Sequence, residues 1–565
     1  MSVVVRWGAD ALPNGTDRVP ALDQEAWEGA YLRLVNGARP ATDVRPLPAL
    51  LEATNSFRPD GPLPIGIARF EYSVPEQSGE RTAFLACGLL HDQWGPAAPT
   101  YRGRSVPFLW SEDFHVTNPG LPVPDAVELD AGGGFRPLAA GTPVVVEYPA
   151  FGPVDVAVRC TYGTEALTGR FALTLSDAPA APAPDETWPL HGACGNTGTA
   201  WVYLAHGAGT LSHPIVMVEG FPGGHPADYL YDTLDQHGTA TSLRAAGHDI
   251  VLVGLDQGMD LVQRNADVLV DCVRQAIART PQPLVVGGMS MGGLIARYAL
   301  AAMEARGEPH QTAVFLTIDT PHAGTYTSLA AQWFVQSFAP YLPALAPYKE
   351  LLDSPANQQF DLWWLHGGVA TTSPLRDQLV LDLAALGDYP SLPRKLAISS
   401  GRGDGVRTAP PGAQTLDWTG EPWVRAELHA LADGKPTTIG EGRWYEAAPP
   451  ELAPLRFDAG VAWEGAPGGQ EPYNGEVAQI AAGLGCGTVA HALDSTCTVP
   501  TVSALDLPQD PFTPVPPAGS GAGPFDDYAF CAANEQHLAI TEEVSTWLLA
   551  ALGSPLATEK GPLHG

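Results

Sequence analysis

Pro283-Leu-Val-Val-Gly-Gly-Met-Ser-Met-Gly-Gly-Leu-Ile-Ala-Arg-Tyr-Ala-Leu300 is the stretch on which the reading of this chain turns. A short apolar run (Leu284 to Val286) meets Gly288-Met289-Ser290-Met291-Gly292, and Leu294, Ala296 and Leu300 follow at helical spacing. The pattern predicts strand, sharp turn, helix, with Ser290 forced onto the turn and its hydroxyl clear of the backbone. Gly288 and Gly292 flank the turn where side chains would clash, and Gly293 is expected to let the helix lie close to the sheet. A G-x-S-x-G run alone is common by chance. The β run before it and the helical run after it make Ser290 a candidate nucleophile rather than a helix cap.

The surroundings support a large globular protein. The chain has 565 residues, 45% of them hydrophobic and 16% charged, too many for one ordinary domain. Its 62 acidic residues against 30 basic ones leave a formal net charge of −32. An excess of that size repels nucleic acid and anionic membranes. No run of about 18 apolar residues is present, so no transmembrane segment is expected. The opening Met1-Ser-Val-Val-Val-Arg-Trp-Gly-Ala-Asp10 has neither the basic region nor the apolar core of a leader. The expectation is a cytoplasmic protein, or an extracellular one whose leader has been removed. Seven scattered cysteines form neither a disulfide framework nor a zinc pattern; Cys486 and Cys497 are spaced to pair across a loop, but buried free thiols are the default.

Up to residue 176 the sequence reads as β-runs separated by Gly, Pro, Asn and Asp clusters: 64–73, 81–87, 142–148, 154–160 and 170–176. That spacing predicts an N-terminal β-sandwich over 1–176. Its aromatics Trp94, Trp110 and Phe114 are read as packing residues before a polymer-binding surface is considered. A Pro-rich linker over 177–189 follows. From 190 to 565 strand and helix patterns alternate, which predicts a mostly parallel α/β sheet with helices on both faces. Catalytic groups in such sheets collect at the carboxyl ends of the strands.

A serine hydroxyl needs a general base, and the base needs a group that holds its tautomer. Asp404 is the first choice for that group. It lies in Ser400-Gly-Arg-Gly-Asp-Gly405, after the strand-like Lys395-Leu-Ala-Ile-Ser399. Asp319, in Thr317-Ile-Asp-Thr-Pro-His-Ala-Gly324, is its rival. For the base, His537 opens the last amphipathic helix (Ile540, Val544, Trp547, Leu548, Leu552), with His491 as runner-up; His429 and the tail residue His564 lack that context. A tetrahedral intermediate also needs amide donors for its oxyanion. The expected donors are the amide of Met291, next to the nucleophile, and that of Phe221, in the loop Glu219-Gly-Phe-Pro-Gly-Gly224.

Glu219-Gly-Phe221, Gly288-Met-Ser-Met-Gly292, Thr320-Pro-His-Ala-Gly324, Ser400-Gly-Arg-Gly-Asp-Gly405 and Asn534-Glu-Gln-His537 together resemble the α/β-hydrolase superfamily, in its lipase-like and esterase-like members, over roughly residues 195–550. The resemblance implies acyl transfer by Ser290, His537 and an acid through an acyl-enzyme, without cofactor or metal. Many lipases have His-Gly where this chain has Glu219-Gly220, and a carboxylate there is expected to point away or to be paired, with an arginine as the expected partner. An aromatic-rich insertion over 325–390, with Trp333, Trp363 and Trp364, resembles a lid over an apolar acyl site. A second insertion spans 406–479. The expected substrate is a carboxylic ester with an apolar acyl part. A polyester or polyhydroxyalkanoate, an amide, or transfer to another acceptor would use the same residues. The alternative of another class is a non-catalytic binding protein on the same fold.

Overall fold

The computed structural model describes residues 61–553, apart from 75–78, 90–99, 119, 178–180, 343–344, 421, 446–449 and 459, together with isolated positions before residue 61. Trp94 and His564 lie outside the described residues.

Two β-sheets fill the N-terminal part. Leu63–Ser73 is the hub of one and pairs with Arg81–Gly88, His115–Thr117 and Ser105–Leu109. The other is built on a long hairpin, Gly152–Tyr162 against Glu165–Ser176, longer than the sequence pattern suggested at both ends. Val156, Val158 and Cys160 are buried along it while Asp155 is exposed, the alternation of a strand with one covered face. A single apolar cluster running from Leu12 to Leu175 serves both sheets.

The second part is organised by an eight-stranded sheet: β1 (Glu186–His191), β2 (Thr197–Tyr203), β3 (Pro214–Val218), β4 (Asp249–Leu255), β5 (Leu284–Met289), β6 (Thr312–Ile318), β7 (Arg394–Ser399) and β8 (Asp527–Phe530). The spatial order is β1-β2-β4-β3-β5-β6-β7-β8. β2 runs antiparallel to both neighbours, and every pairing from β4 to β8 is parallel. β3, β4 and β5 are buried along their whole length, as parallel strands covered on both sides must be. Their side chains alternate between two cores. Val216 and Val218 face helices α2 (Val262–Arg279) and α3 (Met291–Ala305), while Ile215 and Met217 face α1 (Ala227–Leu234) and the last helix, Glu542–Leu552.

The two insertions do not form separate bodies. Helix α4 (Leu329–Phe338), from the first, packs with a five-stranded antiparallel sheet from the second, and one apolar cluster joins them. That sheet is built from Gln414–Gly420, Val424–His429, Thr437–Trp444, Glu451–Phe457 and Thr488–His491. Helix α5 (Tyr473–Gly483) completes the cluster. Nearly every position of α4 is buried, which marks an internal helix and not a surface flap. Among the described residues no helix is long and apolar enough to cross a membrane.

Candidate active site

Ser290 follows β5 directly and has φ 51° and ψ −125°, a conformation that non-glycine residues rarely adopt. Its N–H donates to Ile318 O (2.9 Å), which ties the turn to β6. The elbow leaves no room for side chains: a Cβ on Gly292 would stand 2.2 Å from Val218 O, and one on Gly288 would stand 2.1 Å from the Gly292 carbonyl carbon. On the helix side the space is taken by Thr320, whose Oγ1 lies 2.0 Å from where a Gly293 Cβ would be. The crowding holds Ser290 at the top of the sheet, as the sequence pattern expects.

His537 Nε2 lies 2.8 Å from Ser290 Oγ, and His537 Nδ1 lies 2.7 Å from Asp319 Oδ2. Asp319 is the first residue after β6, fully buried and itself at φ 46°. Its N–H donates to Ile398 O (2.7 Å), and its Oδ1 accepts the Ser400 N–H (3.0 Å). Backbone and carboxylate of Asp319 are therefore both tied to the end of β7, which leaves Oδ2 for the imidazole.

Asp404, expected to orient the histidine, does not reach it. Its carboxylate is solvent-facing, pairs with Arg402 and accepts the Val406 N–H (3.0 Å); these contacts hold its carboxyl below the ordinary range. The reason is geometric. β6 is the immediate neighbour of β5, so an acid directly after it stands beside Ser290, whereas Asp404 lies five residues past the end of the next strand out. The loop that carries it contributes differently: Asn534 Oδ1 accepts the N–H groups of Arg402 and Gly468 (both 3.0 Å), and the Glu535 N–H donates to Ser400 O (2.9 Å). Those bonds string the segment Asn534–His537 between the end of β7 and the strand Gly468–Glu471. His491, the other candidate base, is paired with Asp494 (2.6 Å) on the insertion sheet.

Burial acts to lower the His537 pKa, but the hydrogen bond and charge of Asp319, aided by the charge of Glu471, outweigh it, and the pKa stands above the ordinary histidine value.

The loop after β3 runs beside the serine: a Cβ on Gly220 would lie 3.1 Å from Ser290 Cβ. Among the described residues neither the Phe221 nor the Met291 amide donates a backbone hydrogen bond. The Phe221 ring packs edge-on against Phe360 (5.2 Å), a residue that sequence reasoning did not single out. Glu219 is fully buried and turned away from Ser290. Its Oε1 accepts the N–H groups of Gly224 (3.0 Å) and Leu255, and its Oε2 accepts the N–H (3.0 Å) and lies 2.6 Å from Nδ1 of His225. A histidine, not an arginine, is the partner, and the carboxylate works as a clamp on the loop.

Of the aromatics expected to line a lid, Trp333 is packed inside the insertion. Trp333 is 2% exposed, its ring lies against the backbone of Gly440, and its Nε1–H donates to Ala453 O (2.9 Å). It packs the insertion together and offers a substrate no surface. Trp363 Nε1–H donates to Tyr326 Oη (3.2 Å) with its ring edge-on to Phe457, and Trp364 stacks on His366. Cys486 and Cys497 are buried free thiols.

Residues 212–344 match the family described as "Putative serine esterase (DUF676)", a span that holds Ser290, Asp319 and the Glu219–Gly224 loop but not His537. No curated protein matches the chain. Among solved structures it is similar to Est1E from Butyrivibrio proteoclasticus, with 12% identity over 27% of this chain and 55% of that one and a TM-score of 0.20. It is similar to an α/β serine hydrolase without a lid from Xanthomonas campestris (21% identity, 26% and 65% covered, TM-score 0.20). A hyperthermophilic esterase from the archaeon Pyrobaculum calidifontis also matches (15% identity, 38% and 75% covered, TM-score 0.22). The chain spans less than two thirds of the first two, and at these TM-scores the likeness bears no weight for the chemistry. The family match and the sheet order agree that the chain carries an α/β-hydrolase-like segment of the serine-esterase kind.

Proposed function

We propose that the protein is a serine hydrolase that cleaves carboxylic esters through an acyl-enzyme, with Ser290 as nucleophile, His537 as base and Asp319 as its orienting acid. The observation that carries this reading is the unbroken chain Ser290 Oγ, His537 Nε2, His537 Nδ1, Asp319 Oδ2, with separations of 2.8 and 2.7 Å at its two bonds. As Ser290 Oγ attacks the acyl carbonyl, its proton passes to His537 Nε2, and the imidazolium is stabilised by the buried Asp319 carboxylate. The carbonyl oxygen, now anionic, lies toward the amides of Phe221 and Met291. Collapse expels the alcohol, which takes the proton back from Nε2. Water then repeats the sequence on the acyl-enzyme and frees the acid and Ser290. The loop that carries the Phe221 amide is held by Glu219, which binds the backbone at Gly224, His225 and Leu255, while the Met291 amide is the first of helix α3.

An apolar acyl part suits the Phe221–Phe360 pair at the mouth of the loop. The insertion over 325–390 serves as a fixed wall, because its central helix α4 is buried in a core shared with the second insertion. The two N-terminal sheets, with a core of their own, form a separate sandwich domain over 1–176.

The test is hydrolysis of p-nitrophenyl esters from acetate to palmitate by the parent and by Ser290→Ala. The parent turns over and the variant loses about a millionfold in kcat, the size of effect expected for a triad serine. The acyl length with the highest kcat/KM sizes the pocket. A parent that hydrolyses none of the series, and takes no fluorophosphonate label at Ser290, would overturn the reading.

A further inference from the structure

A second carboxylate stands beside the base, on a strand that sequence reasoning gave no role. The strand Gly468–Glu471 runs past the Asp319–His537 pair and is laced to it. The Gln470 N–H donates to Glu535 O and the His537 N–H donates to Gln470 O, both at 2.9 Å. A Cβ on Gly469 would stand 2.1 Å from Asp319 Oδ2 and 3.3 Å from His537 Cα, so the side-chain direction of residue 469 is toward the acid and base. The pairing of this strand with Thr496–Pro500 shifts register between Gly469 and Gln470, but the extra residue, Thr498, belongs to the facing strand, so alternation along Gly468–Glu471 is kept and residues two apart share a face. Glu471 therefore projects on the same side, one repeat further along. It is partly buried, and among the described residues its carboxylate takes no hydrogen bond and pairs with no basic side chain.

The groups that face this corner are acidic or neutral. Asp319 comes from the end of β6, Glu471 from its own strand, Tyr473 and Glu476 from the start of α5, and Cys497 from the strand Thr496–Pro500. Burial pushes the Glu471 carboxyl up to about 7; a charged His537 acts against that rise, and Glu476 and Asp319 add to it. Glu476 is likewise pushed up to about 7 by burial. Burial also drives Tyr473 and Cys497 upward, so both stay uncharged where Glu471 titrates.

We propose that Glu471 is a positioning residue for the base: standing on the His537 side of its strand and ionised, it stabilises the imidazolium formed when Ser290 attacks. The inference rests on the serine-hydrolase reading above. Glu471 touches no reacting atom and acts through His537; the proton stays on Nε2 and returns to the leaving group. Because each charge favours the opposite charge on the other, Glu471 and His537 titrate as a pair. The acidic limb of the reaction, where the base is lost to protonation, belongs to that pair and not to the histidine alone.

The experiment is the rate of fluorophosphonate modification of Ser290, read by peptide mass spectrometry from pH 5 to 9, a probe that does not depend on knowing the ester. With Glu471→Gln the imidazolium loses a stabilising charge, so the acidic limb moves to lower pH by about half a unit or more, and the plateau falls. Below the parental limb, the rate relative to the variant's own plateau then rises about threefold or more. Glu471→Asp keeps the charge and restores the parental limb. Glu476→Gln supplies an independent arm: it removes a charge that opposes ionisation of Glu471, so the limb moves the other way, to higher pH. A Glu471→Gln limb at the parental pH, whatever its plateau, overturns the inference, as does a Glu476→Gln limb that stays put or moves down. A labelled parent with unmoved limbs sinks this inference alone. A parent that takes no label at Ser290 sinks the hydrolase reading and this inference with it.

Discussion

Asp319 answers to two constraints, because Oδ2 meets His537 Nδ1 while Oδ1 accepts the Ser400 amide. A carboxylate so fixed holds the imidazole in the tautomer that leaves Nε2 free for the serine proton. Asp319→Asn keeps the shape but reverses which atom donates, and kcat should fall about ten-thousandfold. Asp404→Asn, which removes only an exposed Arg402 pairing, should leave kcat within about twofold, as expected of a surface ion pair. Measuring the two variants side by side on one ester settles which aspartate serves the base. The pH profile belongs to the same scale. His537 must be neutral to accept a proton, and its pKa is raised, so kcat/KM should climb with pH through a limb above the ordinary histidine value near 6.5. A limb at or below that value would contradict the raised base. Gly469 leaves no room beside the acid: an alanine Cβ would come 2.1 Å from Asp319 Oδ2. Gly469→Ala should cut kcat by about a hundredfold or more through misplacement of the acid, with a smaller effect on KM.

The elements show why some of this was legible in the sequence and some was not. The elbow was readable because its requirements are local: a strand, a turn too tight for side chains, and a helix, all within eighteen consecutive residues. The placement of the Glu219–Gly224 loop and of His537 beside Ser290 also follows from local pattern, a loop directly after a strand and a histidine just ahead of the last helix. The acid was not settled by local pattern. Asp319 and Asp404 both follow a strand and both precede the histidine, and what separates them is which strand neighbours β5, a property of sheet order. Being the residue directly after its strand, and not five residues on in a glycine-rich loop, was the available clue. The union of the two insertions was also hidden. The strands Gln414–Gly420 to Glu451–Phe457 are interrupted by glycines and prolines, and the helix that covers them lies far upstream at Leu329–Phe338. Trp333 therefore read as a lid residue when it is the pin of that union. Trp333→Ala should cost about 3–5 kcal/mol of stability in denaturant unfolding of the segment that contains it. Asp361, buried in the same region beside Gln332 and Thr327, has its carboxyl pushed up to about 7 by burial. Its folded-state pKa is above the unfolded value near 3.9, so the folded state binds the extra proton between these pH values, and stability is lost as pH rises through about 7. Asp361→Asn should therefore gain stability relative to the parent as the buffer goes from pH 5 to pH 8. A stability difference that is flat across that range would count against the buried charge.

On the scale of the whole molecule, the apolar clusters divide the labour. The N-terminal sheets close on their own core, and the catalytic strands close on two others. Between the two parts runs an Arg102–Asp232 ion pair that is partly open to solvent on both sides, the kind that contributes little to stability. A chain begun at Ala181, the first residue of the catalytic core, should keep its ester kcat/KM within about threefold of the parent, since no group of the site comes from the sheets it lacks. A loss of soluble protein on that truncation would show that the N-terminal part is needed to fold the rest.

The base is 218 residues downstream of the acid it meets, and that separation bears on synthesis. Ser290 and Asp319 emerge from the ribosome early, with the strands that hold them. At typical elongation rates of about 5–20 residues per second, His537 arrives roughly 10–40 s later. Until then the nascent chain has a nucleophile without a base, and the eighth strand that closes the sheet is also missing. On the serine-hydrolase reading proposed above, the nucleophile waits for its base until the segment that carries His537 has docked against Asp319, so the early part of the chain cannot start the chemistry alone.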